Sequence, residues 1–79
     1  MLRPTKHLDP SFSVLNVSAQ ILWMLAKQRT IKYDELYDKL EKRFGENLRP
    51  VFLPSISFLY LLGKIEYHTK NDTFEYRVS

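Results

Sequence analysis

Residues 64–78 read KIEYHTKNDTFEYRV, and their pattern decides the fold. Apolar and polar side chains alternate on both sides of Asn71-Asp72, which is the period of a strand that buries one face. Asn-Asp is a turn signal, although a weaker one than Asn-Gly because Asp tolerates positive φ less well than glycine. The stretch therefore predicts a C-terminal β-hairpin.

Two registers of this hairpin keep its apolar side chains on one face. The first places Glu66 opposite Glu75, where two like charges repel each other. The second places Glu66 opposite Arg77 and His68 opposite Glu75. We predict the second register, because it pairs unlike charges across the strands.

The stretch before the hairpin, residues 50–63 (PVFLPSISFLYLLG), carries no charged side chain. Pro54 is suited to the first turn of a helix, and Gly63 is suited to the position just past a helix end. We therefore expect a third helix from Pro54 to Leu62. Its apolar residues lie all round the helix axis, which predicts a helix that is buried on every side.

Further upstream the chain predicts two more helices and a short strand. Residues 13–29 have apolar side chains at the spacing of one helix face, with Ser13 as the N-cap. Residues 33–44 (YDELYDKLEKRF) begin with acidic and end with basic side chains, and Gly45 is expected to end this helix. Thr30-Ile31-Lys32 is too short for an independent strand, so we expect it to pair with an edge of the hairpin.

Helix, short strand, helix, helix and hairpin is the element order of a winged helix-turn-helix. We predict one α+β domain of that fold over residues 13–79, with three helices, a C-terminal hairpin wing and a short third strand. Residues 1–12 contain two prolines and little periodicity, so they are expected to form an N-terminal arm. A length of 79 residues leaves room for a single domain only.

A winged helix usually reads DNA with its third helix, which then carries Arg, Lys, Asn or Gln. Residues 54–62 offer none of these side chains, so sequence-specific DNA reading is disfavoured. A net charge of +3 is too small to require nucleic acid. Weak, sequence-blind contact with phosphates remains an option. The basic residues that would make it are Arg3, Lys6, Lys64, Lys70 and Arg77.

Protein is the partner that this pattern favours. Trp23 falls on the polar side of the first helix, which is the wrong side for a core residue and a suitable one for an interface anchor. A domain this small is not expected to enclose Phe58 and Leu61, so either the N-terminal arm or, as we favour, a partner covers them. The arm could also cover Trp23. The predicted protein-interface residues are Trp23, Asn16, Gln20, Phe52, Phe58 and Leu61.

The residues that support chemistry are sparse. There is no cysteine, and His7 and His68 are separated by the whole fold without a ligand-spaced partner, so we predict no metal site. Two glycines cannot build a phosphate-binding loop, and no nucleophile signature is present, so we predict no cofactor, no small-molecule substrate and no enzyme activity. No run approaches the ~18 apolar residues of a membrane span, and the cysteine-free composition suits the reducing cytoplasm.

Several stretches also resemble a known family. They are LRPTKHLDP at 2–10, SVLNV at 13–17, YDEL at 33–36, FLP at 52–54, LYLLGKI at 59–65, YH at 67–68 and NDTFEY at 71–76. Together they resemble the small winged-helix middle component of ABC-three-component systems, specifically its sixth middle-component family. The resemblance implies a bacterial conflict or anti-phage cassette that also encodes an SMC-like ABC ATPase and an effector, often a nuclease. It implies no catalytic residue.

Two functions from different classes follow. The favoured one is a non-enzymatic adaptor subunit that bridges the SMC-like ABC ATPase and the effector through protein-protein contacts, with homodimerisation as a further option. The alternative is a small DNA-binding winged-helix transcriptional regulator that uses the wing and the arm. A dimerisation domain with no other task is a third reading.

Overall fold

The structure is a computed structural model that describes residues 10–77, with side chains from Ser13 onward. Its three helices are α1 (Pro10–Gln28), α2 (Tyr33–Phe44) and α3 (Arg49–Leu61), and a 3-10 turn (Gly45–Leu48) joins α2 to α3. Its strands are β1 (Thr30–Lys32), β2 (Ile65–His68) and β3 (Thr73–Tyr76). The strands form one antiparallel sheet in the order β1-β3-β2, so the predicted pairing of the short strand with the hairpin is confirmed.

The first helix starts earlier than the sequence pattern indicated. α1 begins at Pro10, three residues before the predicted N-cap Ser13 and inside the predicted arm. Proline fits this position because the first helical N–H groups have no intrahelical acceptor to lose. The rest of the predicted arm, residues 1–9, lies outside the described residues. The buried face of α1 follows the predicted helical period and consists of Val17, Ser18, Ile21, Met24 and Leu25.

The second helix has the predicted bounds, and Gly45 ends it. Leu36 and Leu40 are fully buried, one turn apart on the inner face. Gly45 has φ +65° and ψ −145°, and its N–H donates a hydrogen bond to the carbonyl oxygen of Glu41. Glycine suits this position because side chains with a Cβ rarely adopt positive φ. The chain leaves α2 here and enters the 3-10 turn.

The third helix begins at Arg49, so the predicted start at Pro54 is wrong. Leu48 and Arg49 already have helical backbone angles as the chain leaves the 3-10 turn, and Pro50 occupies the first turn. Pro54 lies inside the helix and removes one backbone donor there. At the far end, Gly63 has φ +74° and its N–H donates to the carbonyl oxygen of Tyr60 at 2.9 Å.

The prediction that α3 is buried on every side is also wrong. Its inner face, formed by Val51, Phe52, Ser55 and Leu59, packs into the core, and its outer face is open. Two other helices and a small sheet can cover only one side of α3. Its outer face therefore stays exposed, although apolar side chains lie on every side of the helix.

Among residues 10–77, no helix is both long enough and apolar enough to cross a membrane.

Phe52 was predicted at the protein interface, and the structure places it in the core instead. Its side chain is only 2% exposed. The ring packs edge-on against Tyr33, at 5.4 Å between centroids, and against Tyr37, at 4.9 Å. Starting α3 at Arg49 turns Phe52 towards α2. Its role is therefore structural.

Small hydroxyl side chains join α1 to α3. Ser55 is fully buried, and its Oγ lies 2.7 Å from the carbonyl oxygen of Val51 and 3.3 Å from that of Val14. The Ser18 hydroxyl donates in turn to the carbonyl oxygen of Ser55 at 3.4 Å. Serine satisfies its own hydroxyl in this way and still lets the two helices approach closely.

The hairpin adopts the register that we predicted against, with Glu66 opposite Glu75. This register places Tyr67 opposite Phe74, whose ring centroids lie 5.0 Å apart. Phe74 also stacks on Tyr33 at 5.6 Å and is 2% exposed. Burial of Phe74 against Tyr33 and Tyr67 outweighs the choice of charge partners, because each exposed charge pair contributes less than about 1 kcal/mol.

The unlike charges of the hairpin pair diagonally rather than directly. His68 Nε2 lies 2.6 Å from Glu75 Oε1, and Arg77 Nη1 lies 3.5 Å from Glu66 Oε2. Long side chains reach across a diagonal pair of positions in an antiparallel ladder. The repulsion that argued against this register is thereby relieved.

Candidate functional site

The outer face of α3 is the first candidate surface. Leu53, Ser57, Tyr60 and Leu61 follow the i, i+4, i+7, i+8 spacing of one helix face, all four are exposed, and we name them the α3 surface. Leu61 is 83% exposed and Leu53 is 62% exposed. Ser57 supplies the single small polar group, and no charged side chain belongs to this face.

The predicted interface residues of this helix divide between two environments. Leu61 lies on the α3 surface, as expected of a residue that the domain cannot enclose. Phe58 is half-buried at the border between the α3 surface and the core-facing side. Leu62, at the C-cap of α3, is also exposed and extends the apolar character past the helix end.

One cation does belong to α3, at its first residue. Arg49 lines a groove between the end of α2 and the start of α3 that also contains Glu41 and Glu46. Two carboxylates therefore share the surroundings of this guanidinium. The charge of Arg49 therefore lies in a groove that contains both basic and acidic side chains, and the α3 surface itself is uncharged.

The second candidate is a groove of about 690 Å³ between α1 and the C-terminal end of α2. We name it the Trp23 groove. Three of the predicted interface residues, Trp23, Asn16 and Gln20, line it from α1. Ala19 lines it from the same helix, and Arg43 and Phe44 line it from α2. The structure thus brings the predicted α1 residues together at one concave site.

Sequence reasoning missed the α2 side of this groove. Arg43 sits in the last turn of α2, where the sequence analysis expected only the basic end of a helix. Phe44, the last residue of α2, is half-buried at the groove wall. Only the packing of α2 against α1 reveals that these two side chains adjoin Trp23. No local signal in the sequence carries that information.

The electrostatics of the Trp23 groove are positive. The Trp23 side chain is 58% exposed, and the Lys27 ammonium lies over its ring at 4.5 Å from the centroid. A cation in this position is attracted by the negative face of the indole. Arg43 adds a guanidinium near Phe44, 5.9 Å from the ring centroid. None of the six lining residues bears a carboxylate.

The predicted nucleic-acid contacts are dispersed. Arg77 is engaged with Glu66, whereas Lys64 and Lys70 are exposed on the wing without an ion pair to any described residue. Arg3 and Lys6 lie outside the described residues. The structure therefore gathers no cluster of free cations on the part of the wing that it describes.

The β2–β3 hairpin also holds a group of side chains with metal-ligand spacing, which the sequence reasoning did not find. Ligand atoms of Glu66, His68 and Glu75 all lie within 4.8 Å of one another. His68 was described as lacking a ligand-spaced partner because a partner was sought only between the two histidines, although the predicted register already placed His68 opposite Glu75. All three side chains are on the solvent side of the sheet, where His68 Nε2 lies 2.6 Å from Glu75 and Arg77 lies 3.5 Å from Glu66.

Comparison with known families shows which family the chain belongs to. The family model described as ABC-three component (ABC-3C) system Middle Component 8 matches residues 29–78, which is more than half of the sequence. The chain belongs to this family. The resemblance to an ABC-3C middle component is confirmed, but the family is Middle Component 8 and the expectation of the sixth family was wrong. No curated protein and no solved structure gives a match.

The Middle Component 8 match covers one candidate surface more fully than the other. Residues 29–78 include β1, α2, α3 and the hairpin, and hence the whole α3 surface. They include Arg43 and Phe44 but not Trp23, Asn16 or Gln20. A middle component is one of three components of its system, so membership implies partner components.

Proposed function

We propose that this protein is a non-enzymatic adaptor of an ABC-3C anti-phage system. In this role it bridges the SMC-like ABC ATPase and the effector, often a nuclease, through protein-protein contacts in the cytoplasm. The observation that carries the proposal is the α3 surface, an exposed and uncharged helix face in a chain whose family works alongside partner components.

The element order and the sheet order β1-β3-β2 support a winged helix-turn-helix assignment for the domain. In that fold the outer face of the third helix is the one that enters the major groove of DNA. Here the same face presents Leu53, Tyr60 and Leu61. Leucine side chains neither donate hydrogen bonds to base edges nor neutralise phosphates, so this face is poorly suited to DNA.

Protein is the better partner for the α3 surface on energetic grounds. Removing apolar surface from water is worth roughly 25 cal/mol per Å². Leu53 and Leu61 are largely exposed, and Tyr60 adds an aromatic ring with a hydroxyl that can bond at the rim of an interface. Contacts of this kind give binding energy without any charged group.

The proposal assigns no catalysis to this subunit. With two glycines and no cysteine, the chain is poorly equipped for nucleotide binding or thiol chemistry. On the wing, the histidine and both carboxylates are occupied with one another and with Arg77. Nucleotide hydrolysis and effector chemistry are therefore attributed to the partner components.

Co-purification with the two companion components tests the proposal. Leu61→Asp places a charge at the C-terminal end of the α3 surface and should abolish association with one companion. The fold should be kept because Leu61 is 83% exposed. Asn47→Asp, at an exposed position of the 3-10 turn, introduces the same charge away from this surface and should leave association intact. Circular dichroism confirms that both variants are folded.

Two results would contradict the role of the α3 surface in the adaptor function. One is unchanged association of both companions with Leu61→Asp and with Leu53→Asp. The other is a wild-type dimer, detected by light scattering after size exclusion, that Leu61→Asp converts to a monomer without affecting either companion. In that case the α3 surface binds a second copy of this chain and serves dimerisation alone.

A further inference from the structure

We propose that the Trp23 groove binds an acidic peptide segment of one of the companion components. This inference rests on the adaptor function and adds the chemistry of the segment that is recognised. The segment would present a carboxylate next to an apolar side chain. Its acidity follows from the charges that the groove leaves uncompensated.

Neither cation at the Trp23 groove, Lys27 or Arg43, forms an ion pair with a carboxylate of residues 10–77. Within residues 10–77, the ion pairs of basic side chains involve Lys39, Lys42, His68 and Arg77. Neither Lys27 nor Arg43 is among them. Helix α1, which forms one wall, contains no Asp or Glu over its whole length. Arg43 lines the groove, and the Lys27 ammonium lies over the Trp23 ring. Cations in these positions attract an anionic group, and the Arg43 guanidinium favours bidentate binding of a carboxylate.

The remaining lining residues indicate which other groups of the bound segment lie next to its carboxylate. Trp23 and Phe44 provide aromatic surface that an apolar side chain would cover, and Ala19 leaves room beside them. Asn16 and Gln20 each carry an amide with both donor and acceptor atoms, which suits the backbone of a bound segment. An exposed tryptophan with polar neighbours is also a common composition for an interface anchor.

Other occupants fit these observations less well. A nucleic acid base would have to stack on the indole, but the Lys27 ammonium already occupies one face of that ring. The N-terminal segment of this chain carries Arg3 and Lys6 against a single acidic residue, Asp9, so its charge has the wrong sign. An acidic segment of a partner is the occupant that matches both the charge and the apolar surface.

Trp23 is the only tryptophan of the chain, so its fluorescence reports on the groove directly. The experiment titrates the full chain with overlapping synthetic peptides that tile the two companion components. We expect the peptides that change Trp23 emission to be acidic. Replacing the glutamates and aspartates of the best peptide by their amides should weaken its binding by at least about tenfold, the loss typical of one charge-assisted hydrogen bond.

Matched variants locate the binding site. Arg43→Gln should weaken binding of the best peptide by a similar factor, whereas Lys42→Gln should leave its binding unchanged. Lys42 carries the same charge one residue away but pairs with Asp38 at 3.7 Å and does not line the groove. With a fluorescein-labelled peptide, Trp23→Ala should abolish binding, and Leu15→Ala should not. Leu15 is similarly exposed on α1, at 54%, and lies outside the groove lining.

Three outcomes would overturn the inference. They are the absence of any peptide that changes Trp23 emission, preferential binding of neutral or basic peptides, and tighter binding of a single-stranded oligonucleotide than of any peptide. Each can occur while the companions still co-purify through the α3 surface, so the inference can fail without the adaptor function. Conversely, peptide binding combined with unchanged co-purification of Leu61→Asp would remove the role assigned to the α3 surface and keep the Trp23 groove.

Discussion

Glu66 and Glu75 face each other directly across the β2–β3 hairpin, and each carboxylate contacts a basic side chain on the opposite strand or its extension. Glu66 pairs with Arg77 at 3.5 Å, and Glu75 pairs with His68 at 2.6 Å. Direct opposition of like charges destabilises a sheet, and the diagonal partners compensate for it. The four side chains therefore act as one charge network on the outer face of the wing.

The stability of this network should depend on salt. Arg77→Ala leaves Glu66 next to Glu75 without its guanidinium, so we expect a loss of about 0.2–1 kcal/mol in urea unfolding at low salt. Sodium chloride at about 1 M should shrink that loss, because screening weakens the repulsion between the carboxylates. Lys70→Ala, an exposed turn residue outside the network, is the control. A loss that persists unchanged at high salt would contradict the electrostatic explanation.

Ser55 sets how closely α1 and α3 pack. Ser55→Ile inserts extra volume at a fully buried contact and removes a hydrogen-bonded hydroxyl, so we expect destabilisation of about 1–3 kcal/mol or more. Ser57→Ile makes the same substitution on the exposed side of the same helix and should change stability by about 0.5 kcal/mol or less. Urea titration of the two variants gives the comparison. Equal effects would mean that helix propensity, rather than packing, decides the result.

Phe52 should behave as a core residue in any mutational scan. Phe52→Ala is expected to destabilise by about 3–5 kcal/mol, which equals most of the stability that a core of this size supplies. Phe58→Ala, at a half-buried position two turns further along, should cost less. Far-UV circular dichroism during thermal melting separates the two. A folded Phe52→Ala variant with a wild-type melting temperature would refute the core placement.

Substitution of Gly45 measures the cost of the positive φ at the end of α2. A Cβ added here meets no heavy atom within 4 Å, so Gly45→Ala should act through backbone strain alone. At φ +65° and ψ −145° we expect a loss of about 1–3 kcal/mol. Glu46→Ala, at the exposed neighbouring position, is the control for a surface alanine. A neutral Gly45→Ala variant would show that the 3-10 turn can re-form with negative φ.

DNA binding, if measured, should be weak and independent of sequence. Lys64 and Lys70 are the exposed wing cations without an ion pair among the described residues, and Arg49 is the one cation of α3. Phosphate contacts of this kind lose affinity steeply as salt rises. Fluorescence anisotropy with several duplexes would detect it. A duplex bound about a thousandfold more tightly than the others would instead support a transcriptional regulator.

The parts of the fold that could be predicted were those with local signals. α2 has the predicted bounds because acidic residues start it, basic residues end it and Gly45 stops it. α3 was misplaced because Pro50 and Pro54 are four residues apart and either can occupy a first helical turn. That error also misassigned Phe52, since the start of the helix determines which side chains face the core.

The remaining differences required three-dimensional information. The hairpin register was judged from directly opposed charges, whereas the structure pairs its charges diagonally and buries Phe74. The helical period did place Trp23, Asn16 and Gln20 on one side of α1. It contained nothing about Arg43, which reaches the same groove from another helix. Local patterns thus indicated half of the candidate site, and the packing of two helices supplied the rest.

The central strand of the sheet is the last one in chain order. β3 pairs with β1 on one side and with β2 on the other, and its Phe74 lies opposite both Ile31 and Tyr67. A nascent chain on the ribosome therefore holds all three helices before any sheet exists. Folding during translation has to wait for Thr73–Tyr76 to emerge, and until then Ile31 and its neighbours are open to chaperones and proteases. Without Thr73–Tyr76, neither β1 nor β2 has a strand to pair with.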